Sequence, residues 1–389
     1  MIDKIKQLVD ASFDEIVEIR RNIHKNPELS FKEHKTSAYI KSILIGWGIS
    51  FTEDIADTGI VVLLEGNNPS SKTLALRTDF DALPITEENE IDYCSVNKGV
   101  MHACGHDAHT ASLLGVVKIL NNLKQEWEGS VKFIFQPAEE MLPGGAQQMI
   151  KEGVLENPKV EKMLGQHVFP DLEVGKVGFR PGKYMASTDE LHICVKGIGG
   201  HAALPHKYNS PILAAAKLIT ELDEYFQKDR NRPSVLAIGF IEGLGSTNVI
   251  PEQVKLKGTL RAMDESFRVL AHDKILAISN AIAQAHNIEI DFDIRKGYPC
   301  LVNDESLTKK SIAFAKQYLG EGNVIDLPIR MTAEDFSYYS HEIPSTFYRL
   351  GTANKSKGIT HGLHTSRFNI DEQSLKIGMG LMAYLAIKN

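Results

Sequence analysis

The sequence predicts an α/β protein in which a mixed, largely parallel sheet flanked by helices is interrupted by a smaller ferredoxin-like domain. Three observations carry this. Short apolar runs at 60–64, 74–76, 131–135 and 162–164 alternate with helical or loop segments, as strands buried on both faces do. Between 187 and 295 the rhythm changes to strand, helix, two strands, helix, strand, the βαββαβ order of a ferredoxin-like unit. The length of 389 residues also exceeds what one ordinary core organises, so about two domains are expected. The expected division is 1–186 and 296–389 for the sheet domain, with 187–295 inserted.

Ile5, Leu8, Val9, Phe13, Ile16, Val17 and Ile23 recur at helical spacing, and Pro27 ends that helix. A second helix is expected over 32–45, closed by Gly46 and Gly48. The four apolar runs follow as strands, and 111–120, apolar nearly all round, reads as a buried helix. In the insert, strands are expected at 191–195, 235–241, 254–261 and 288–294, with helices at 211–226 and 265–285. The sheet domain resumes with a strand at 347–350, the Gly362-Leu363-His364-Thr365 segment and a last helix from 372.

Composition narrows the function class. A net charge of -7 supplies no basic field to collect phosphates, so a nucleic-acid partner is not expected. Cys94, Cys104, Cys194 and Cys300 form no CxxC, which suits a reducing compartment. Residues 1–12 read as an amphipathic helix with no signal peptide, and no apolar run is long enough for a membrane span. The expected location is cytoplasmic.

The chemistry concentrates in two stretches. Met101-His102-Ala103-Cys104-Gly105-His106-Asp107-Ala108-His109 packs a thiol and three imidazoles together, and Gln136-Pro137-Ala138-Glu139-Glu140 sets two carboxylates side by side after an apolar run. Thiolate, imidazole and carboxylate form a transition-metal ligand set, and an adjacent second carboxylate suits a general base. Asp79 and Asp81, Glu139 and Glu140, and His167 are each expected just past the C-terminal end of a strand, the edge where open α/β sheets bind ligands. A thiol at the start of the buried helix should feel the positive end of its dipole, which favours thiolate. The rival reading makes Cys104 a nucleophile with a histidine base; Glu139-Glu140 and the further histidines His167 and His364 favour metal. Asp107 and His109 are candidates for orienting ligands by hydrogen bonds. The glycine runs around Gly199-Gly200 and Gly243-x-Gly245 follow no nucleotide-binding pattern.

Taken together, His102-Ala-Cys104-Gly-His106-Asp107, Pro137-Ala-Glu139-Glu140, Gly199-Gly-His201-Ala-Ala and Leu363-His364-Thr365 resemble the signature set of the dinuclear metallo-aminoacylase and carboxypeptidase superfamily. The nearest branch is the amidohydrolase subfamily of hippurate hydrolase, N-acyl-amino-acid amidohydrolases, N-acetyldiaminopimelate deacetylase and auxin-conjugate hydrolases. The resemblance runs from Arg20-Arg21-x-x-His24-x-x-Pro27-Glu28-Leu29 to Phe368-Asn369-x-Asp371-Glu372.

The resemblance implies two divalent ions, zinc or manganese with cobalt or nickel as alternatives, bridged by Cys104 and completed by His106, Glu140, His167 and His364. It implies that Glu139 is the general base, that Asp79 steadies a metal ligand, and that His201 polarises the scissile carbonyl across a homodimer interface formed by the inserted lid. Asn248 and Arg261 match positions that hold the substrate and its carboxylate. The implied substrate is an N-acyl amino acid, with dipeptide or carboxypeptidase cleavage, or non-catalytic metal binding, as the alternatives. Met141-Leu142-Pro143 departs from the resemblance, because relatives have glycine directly after the glutamate pair; the shape of the pocket is where this bears.

Overall fold

The computed structural model of the protein describes residues 1–228 and 232–389. It divides into two compact units: Met1–Gly182, Val302–Pro328 and Asp335–Asn389 form the first, Lys183–Leu301 and Ile329–Glu334 the second. The second unit is slightly wider than the 187–295 span read from sequence, and it gains a short segment that no local pattern singled out.

The first unit opens with α1 (Ile2–Lys25), α2 (His34–Gly46), β1 (Phe51–Ile55), β2 (Gly59–Glu65) and β3 (Thr73–Asp79). It continues through α3 (His106–Asn122), β4 (Ser130–Gln136), α4 (Gly145–Lys151), β5 (Lys162–Glu173) and β6 (Val177–Phe179). The second unit carries β7 (Gly182–Met185), β8 (Asp189–Lys196), β9 (Gly200–His201), α5 (Pro211–Lys228), β10 (Ser234–Glu242), β11 (Val249–Ile250), β12 (Gln253–Ala262), α6 (Glu265–His286) and β13 (Glu289–Lys296). The chain then returns through β14 (Leu301–Asn303), α7 (Glu305–Leu319), β15 (Val324–Asp326), α8 (Ser337–Glu342), β16 (Ser345–Ala353) and α9 (Ser374–Lys388).

Eight strands of the first unit form one sheet in the order β1-β2-β4-β3-β5-β16-β6-β15. Its centre is parallel, β4 to β3, β3 to β5 and β5 to β16, while β1, β2 and β6 join antiparallel. Every residue of β3 and of β4 is buried, which explains their apolar stretches at 74–76 and 133–135; Arg77, Asp79 and Lys132 are buried polar members of the same strands. On α1, Ile5, Val9, Ile16, Arg20, Ile23 and His24 share the buried face. That face packs on α3, which is buried along nearly its whole length and also meets α9 and β3.

Two strands extend further than their apolar runs. Asp79 is the last residue of β3, and His167 lies within β5, so neither falls beyond its strand as expected. The apolar pattern stops at Leu164, yet the strand continues because β16 pairs with it through Gly165, Gln166 and His167. Tyr348 on β16 donates its hydroxyl to Gln166 Oε1 at 2.9 Å, which satisfies a buried amide the pattern could not anticipate.

In the second unit, β10, β12, β8 and β13 form an antiparallel sheet in that order, the arrangement of a ferredoxin-like domain. Leu191, Ile193 and Val195 on β8 alternate inward and meet Leu218 and Leu222 of α5 and Ile275 and Ile282 of α6 in one core. Among the described residues no helix is long and apolar enough to cross a membrane.

Candidate metal centre

The first unit delivers its chemical side chains from five places. Cys104 and His106 flank Gly105, whose φ of +83° caps α3. A Cβ there would lie 2.5 Å from Val168 Cγ2, so only glycine lets the two ligand-type residues turn across this corner. Glu139 and Glu140 follow β4 through a tight turn, His167 projects from β5, and Asp79 and Asp81 come from the end of β3 and just beyond. His364, at φ +61°, is held by its N–H to Ala103 O at 2.8 Å.

These converge. Cys104 Sγ lies 3.4 Å from His167 Nε2 and 3.4 Å from His364 Nε2. His364 Nε2 is 3.2 Å from Glu140 Oε1, and His106 Nε2 is 4.0 Å from the same oxygen. Two donor triads result, Cys104–His106–His167 and Cys104–Glu140–His364, each with its ligand atoms within 4.8 Å of one another. They share the sulfur. Glu139 joins His106 and Glu140 in a third such group.

The ring tautomers suit cation binding. His167 donates Nδ1–H to Val168 O at 2.7 Å, which leaves its Nε2 lone pair facing the cluster, and His106 donates Nδ1–H to Asp81 at 3.1 Å with Nε2 on the cluster side. Burial lowers His106, but Asp79, Asp81 and Glu140 outweigh it and raise the ring to about 10, so a cation binding there must displace its Nε2 proton. His106 Nε2 is buried without a hydrogen bond, and Glu140 Oε1 makes none of good geometry. Buried polar atoms left so are rare, and here they point at one another around a space that a divalent ion fits. Soft thiolate with imidazole and carboxylate accommodates the mid-row divalent metals.

Electrostatics correct one expectation. Burial, with Glu140, Glu139 and Asp79 close by, pushes the Cys104 thiol well above its usual value. Cys104 sits before the helix cap, and these carboxylates outweigh the dipole. A cation in the cluster would offset these carboxylates and favour the thiolate. Burial and the Arg349 guanidinium hold His167 well below the usual histidine value, so it is neutral, as a ligand must be.

Around the cluster lies a hydrogen-bonded shell. Asp79 accepts His109 Nδ1–H at 2.6 Å, and His109 Nε2 accepts the Val168 N–H at 2.8 Å, so His109 orients the Asp79 carboxylate and touches none of the expected ligands through these bonds. The other Asp79 oxygen takes Arg77 Nη1 at 2.7 Å and stands 3.7 Å from His106 Nε2. Arg77 also binds Gln136 Oε1 at 2.9 Å and Asp335 at 2.5 Å. Asp107 departs from its expected role: it binds Arg20 Nε at 2.7 Å and His24 Nδ1 at 2.9 Å, and so anchors α3 to α1. Arg77, Asp335 and His24 were missed as shell residues. A usable signal existed for Arg20 and His24, polar residues four apart on the apolar face of α1.

His201, Asn248 and Arg261 lie in the second unit. His201 on β9 pairs with Val249 of β11, and Ala202 N–H donates to Asn248 O at 3.0 Å, so His201 and Asn248 share one exposed two-stranded ribbon. The Ala203 N–H donates to His201 Nδ1 at 3.1 Å, which leaves the proton of a neutral ring on Nε2. Arg261 sits near the opposite end of β12, paired with Val235. The eight steps from Gln253 to Arg261 span about 27 Å at strand rise. Of the departing segment, Met141 is exposed, and Gly145 N–H closes the turn onto Ala138 O at 3.0 Å.

Comparison with known proteins agrees with this geometry. The pattern of peptidase family M20/M25/M40 matches residues 75–388. The N-acyl-L-amino acid amidohydrolase of Geobacillus stearothermophilus is 38% identical over 304 residues, covering 77% of this chain and 81% of that protein. Thermostable carboxypeptidase 2 of Saccharolobus solfataricus is 36% identical over 393 residues, covering 100% and 98%. Among solved structures, the YXEP protein of Bacillus subtilis, described as a dinuclear metal binding peptidase from the M20 family, superposes with a TM-score of 0.83 at 32% identity, covering 97% and 98%.

Proposed function

We propose that this chain, which belongs to peptidase family M20/M25/M40 and hydrolyses amide bonds, acts on N-acyl-L-amino acids to release a free amino acid and a carboxylic acid. The observation that carries the reading is the pair of donor triads sharing Cys104, with Glu139 beside them. Cys104, His106 and His167 would hold one divalent ion, and Cys104, Glu140 and His364 the other. Zinc or manganese, or else cobalt or nickel, suits the donors. Bound there, such ions lower the pKa of water and polarise a carbonyl.

The chain's own groups do the rest. Glu139 takes the proton of the attacking water onto its carboxylate and returns it to the leaving nitrogen. Asp81 holds His106 through Nδ1, which keeps Nε2 aimed at the cluster, and Asp79, 3.7 Å from Nε2, would steady His106 as a ligand by its charge. His201, protonated at Nε2, donates to the carbonyl oxygen as negative charge develops there. Asn248 and Arg261 bind the substrate and its carboxylate.

The distance along β12 bears on assembly. The His201–Asn248 ribbon precedes the Gln253 end of β12 while Arg261 lies near its other end, about 27 Å of strand that an N-acyl amino acid does not span, so this reading has Arg261 and the ribbon of one lid serve different sites. A two-fold homodimer exchanging these elements provides for both. Similarity to a carboxypeptidase keeps peptide substrates as the second reading. Assaying acetyl- and benzoyl-amino acids against dipeptides with each metal tests the choice. Faster turnover of the acyl-amino acids is expected, and exclusive turnover of dipeptides would overturn it.

A further inference from the structure

We propose that Glu33 is a positioning residue for the turn that carries Glu139 and Glu140: its carboxyl oxygen fixes the backbone of Ala138 and thereby sends the two neighbouring carboxylates to different tasks. The inference rests on the reading of Glu139 as base and Glu140 as ligand.

Ala138 has φ +53°, a left-handed backbone in a residue that is not glycine. Such a conformation persists only where its surroundings over-determine it. Here the Ala138 N–H donates to Glu33 Oε1 at 2.9 Å, and Ala138 O accepts Gly145 N–H at 3.0 Å. The Glu140 N–H donates to Asp81 Oδ2 at 3.0 Å. Gly145 can approach only because it lacks a side chain, since a Cβ would lie 1.9 Å from Pro137 O. Asp81 is already committed to His106 and to Ser30 Oγ at 2.6 Å. Glu33 comes from the N-cap of α2 and is fully buried. Its other oxygen accepts from Thr58 Oγ1 at 3.3 Å.

Stability alone does not explain a carboxyl group there. Burial, with Asp81 nearby, raises Glu33 to about 7, so the fold disfavours its charge. A buried ionisable group without a cationic partner carries a desolvation cost, and a neutral acceptor would satisfy the Ala138 N–H equally well. An oxygen acceptor aimed at Ala138 N–H serves in either protonation state, which is what positioning requires.

The test uses the apoprotein titrated calorimetrically with Mn2+, together with kcat and KM for an N-acetyl amino acid after reconstitution. Glu33→Gln keeps an acceptor oxygen and should stay within about twofold of wild type in Mn2+ affinity and kcat. Glu33→Leu should lose about tenfold or more in Mn2+ affinity, the scale of ligand-orienting contacts, and lower kcat more than it raises KM. Leu-variant affinity and kcat equal to wild type would overturn the proposal, as would equal losses in the Gln variant. Should the Leu protein not fold, Glu33→Asp, one methylene short of Ala138, should show the same losses, and wild-type values there would overturn the proposal. Failure of wild-type apoprotein to bind Mn2+ would instead overturn the metal-site reading, and this inference with it.

Discussion

His106 donates its Nδ1–H to Asp81 at 3.1 Å, both side chains fully buried. This contact selects the tautomer that presents Nε2 to Cys104 and Glu140. Burial would raise the Asp81 carboxyl, but the bonds from His106, Ser30 and the Glu140 amide hold it below its ordinary value. One carboxylate thus sets a histidine and the backbone of a glutamate in the same cluster.

Replacing Asp81 should therefore act through the ligands. We expect Asp81→Asn to weaken divalent-ion affinity by about 10- to 100-fold, the usual cost of an outer partner. Calorimetric titration of the apoprotein measures this directly; unchanged affinity would mean that His106 is oriented by other contacts.

Glu139 and Glu140, though adjacent, should separate cleanly. Glu139→Gln should retain its metal and lose about a hundredfold or more in kcat. Glu140→Gln should lose metal first. Metal analysis beside rate measurement distinguishes them, and the reverse pattern would exchange the two roles.

Much of this arrangement was legible in the sequence. The buried strands β3 and β4 announced themselves as apolar runs, and the Cys104–His106 and Glu139–Glu140 pairs sit beside them in sequence. What escaped depends on contacts between distant residues. Asp335 meets Arg77 across 258 residues and Glu33 meets Ala138 across 105, and no local pattern marks either. His167 was placed beyond its strand because Gly165 and Gln166 ended the apolar pattern while β16 kept the strand going. The thiolate expectation for Cys104 weighed the helix dipole without the three carboxylates that the fold gathers around the sulfur, and these raise the thiol until a cation offsets them.

The second unit has its own electrostatic anchor. Asp189 takes Arg268 Nη2 at 2.5 Å and His272 Nε2 at 2.6 Å. Burial would raise its carboxyl, yet these bonds outweigh it and hold the group at about 2. A depressed carboxyl stabilises the fold above its unfolded pKa, and that contribution is lost as pH falls through the folded value. Asp189→Asn should cost about 3 kcal/mol at pH 7, as breaking a buried ion pair does. The gap from wild type should narrow as pH falls from about 4 toward 2. Denaturant unfolding at several pH values reads this, and a gap independent of pH would contradict it.

Exchange between subunits has a direct genetic test. Neither Glu139→Gln nor His201→Ala homodimers should be active, whereas a mixed dimer should regain one working site from intact Glu139 and the partner's intact His201. About a quarter of wild-type activity is expected after complete random exchange of equal amounts, because half the dimers are mixed and each has one of two sites. No recovery despite proven exchange would place His201 within its own chain's site or outside catalysis.

The measurement closest to the central claim joins metal content to turnover at Cys104, the donor common to both triads. Wild-type protein should bind two divalent ions per chain, lose activity when a chelator removes them, and recover it on reconstitution. Cys104→Ser should lose affinity at both positions and activity together, because both triads share its sulfur. Full hydrolysis of an N-acetyl amino acid by metal-free, chelator-treated protein, or a Cys104→Ser variant that binds both ions as wild type does, would contradict the account.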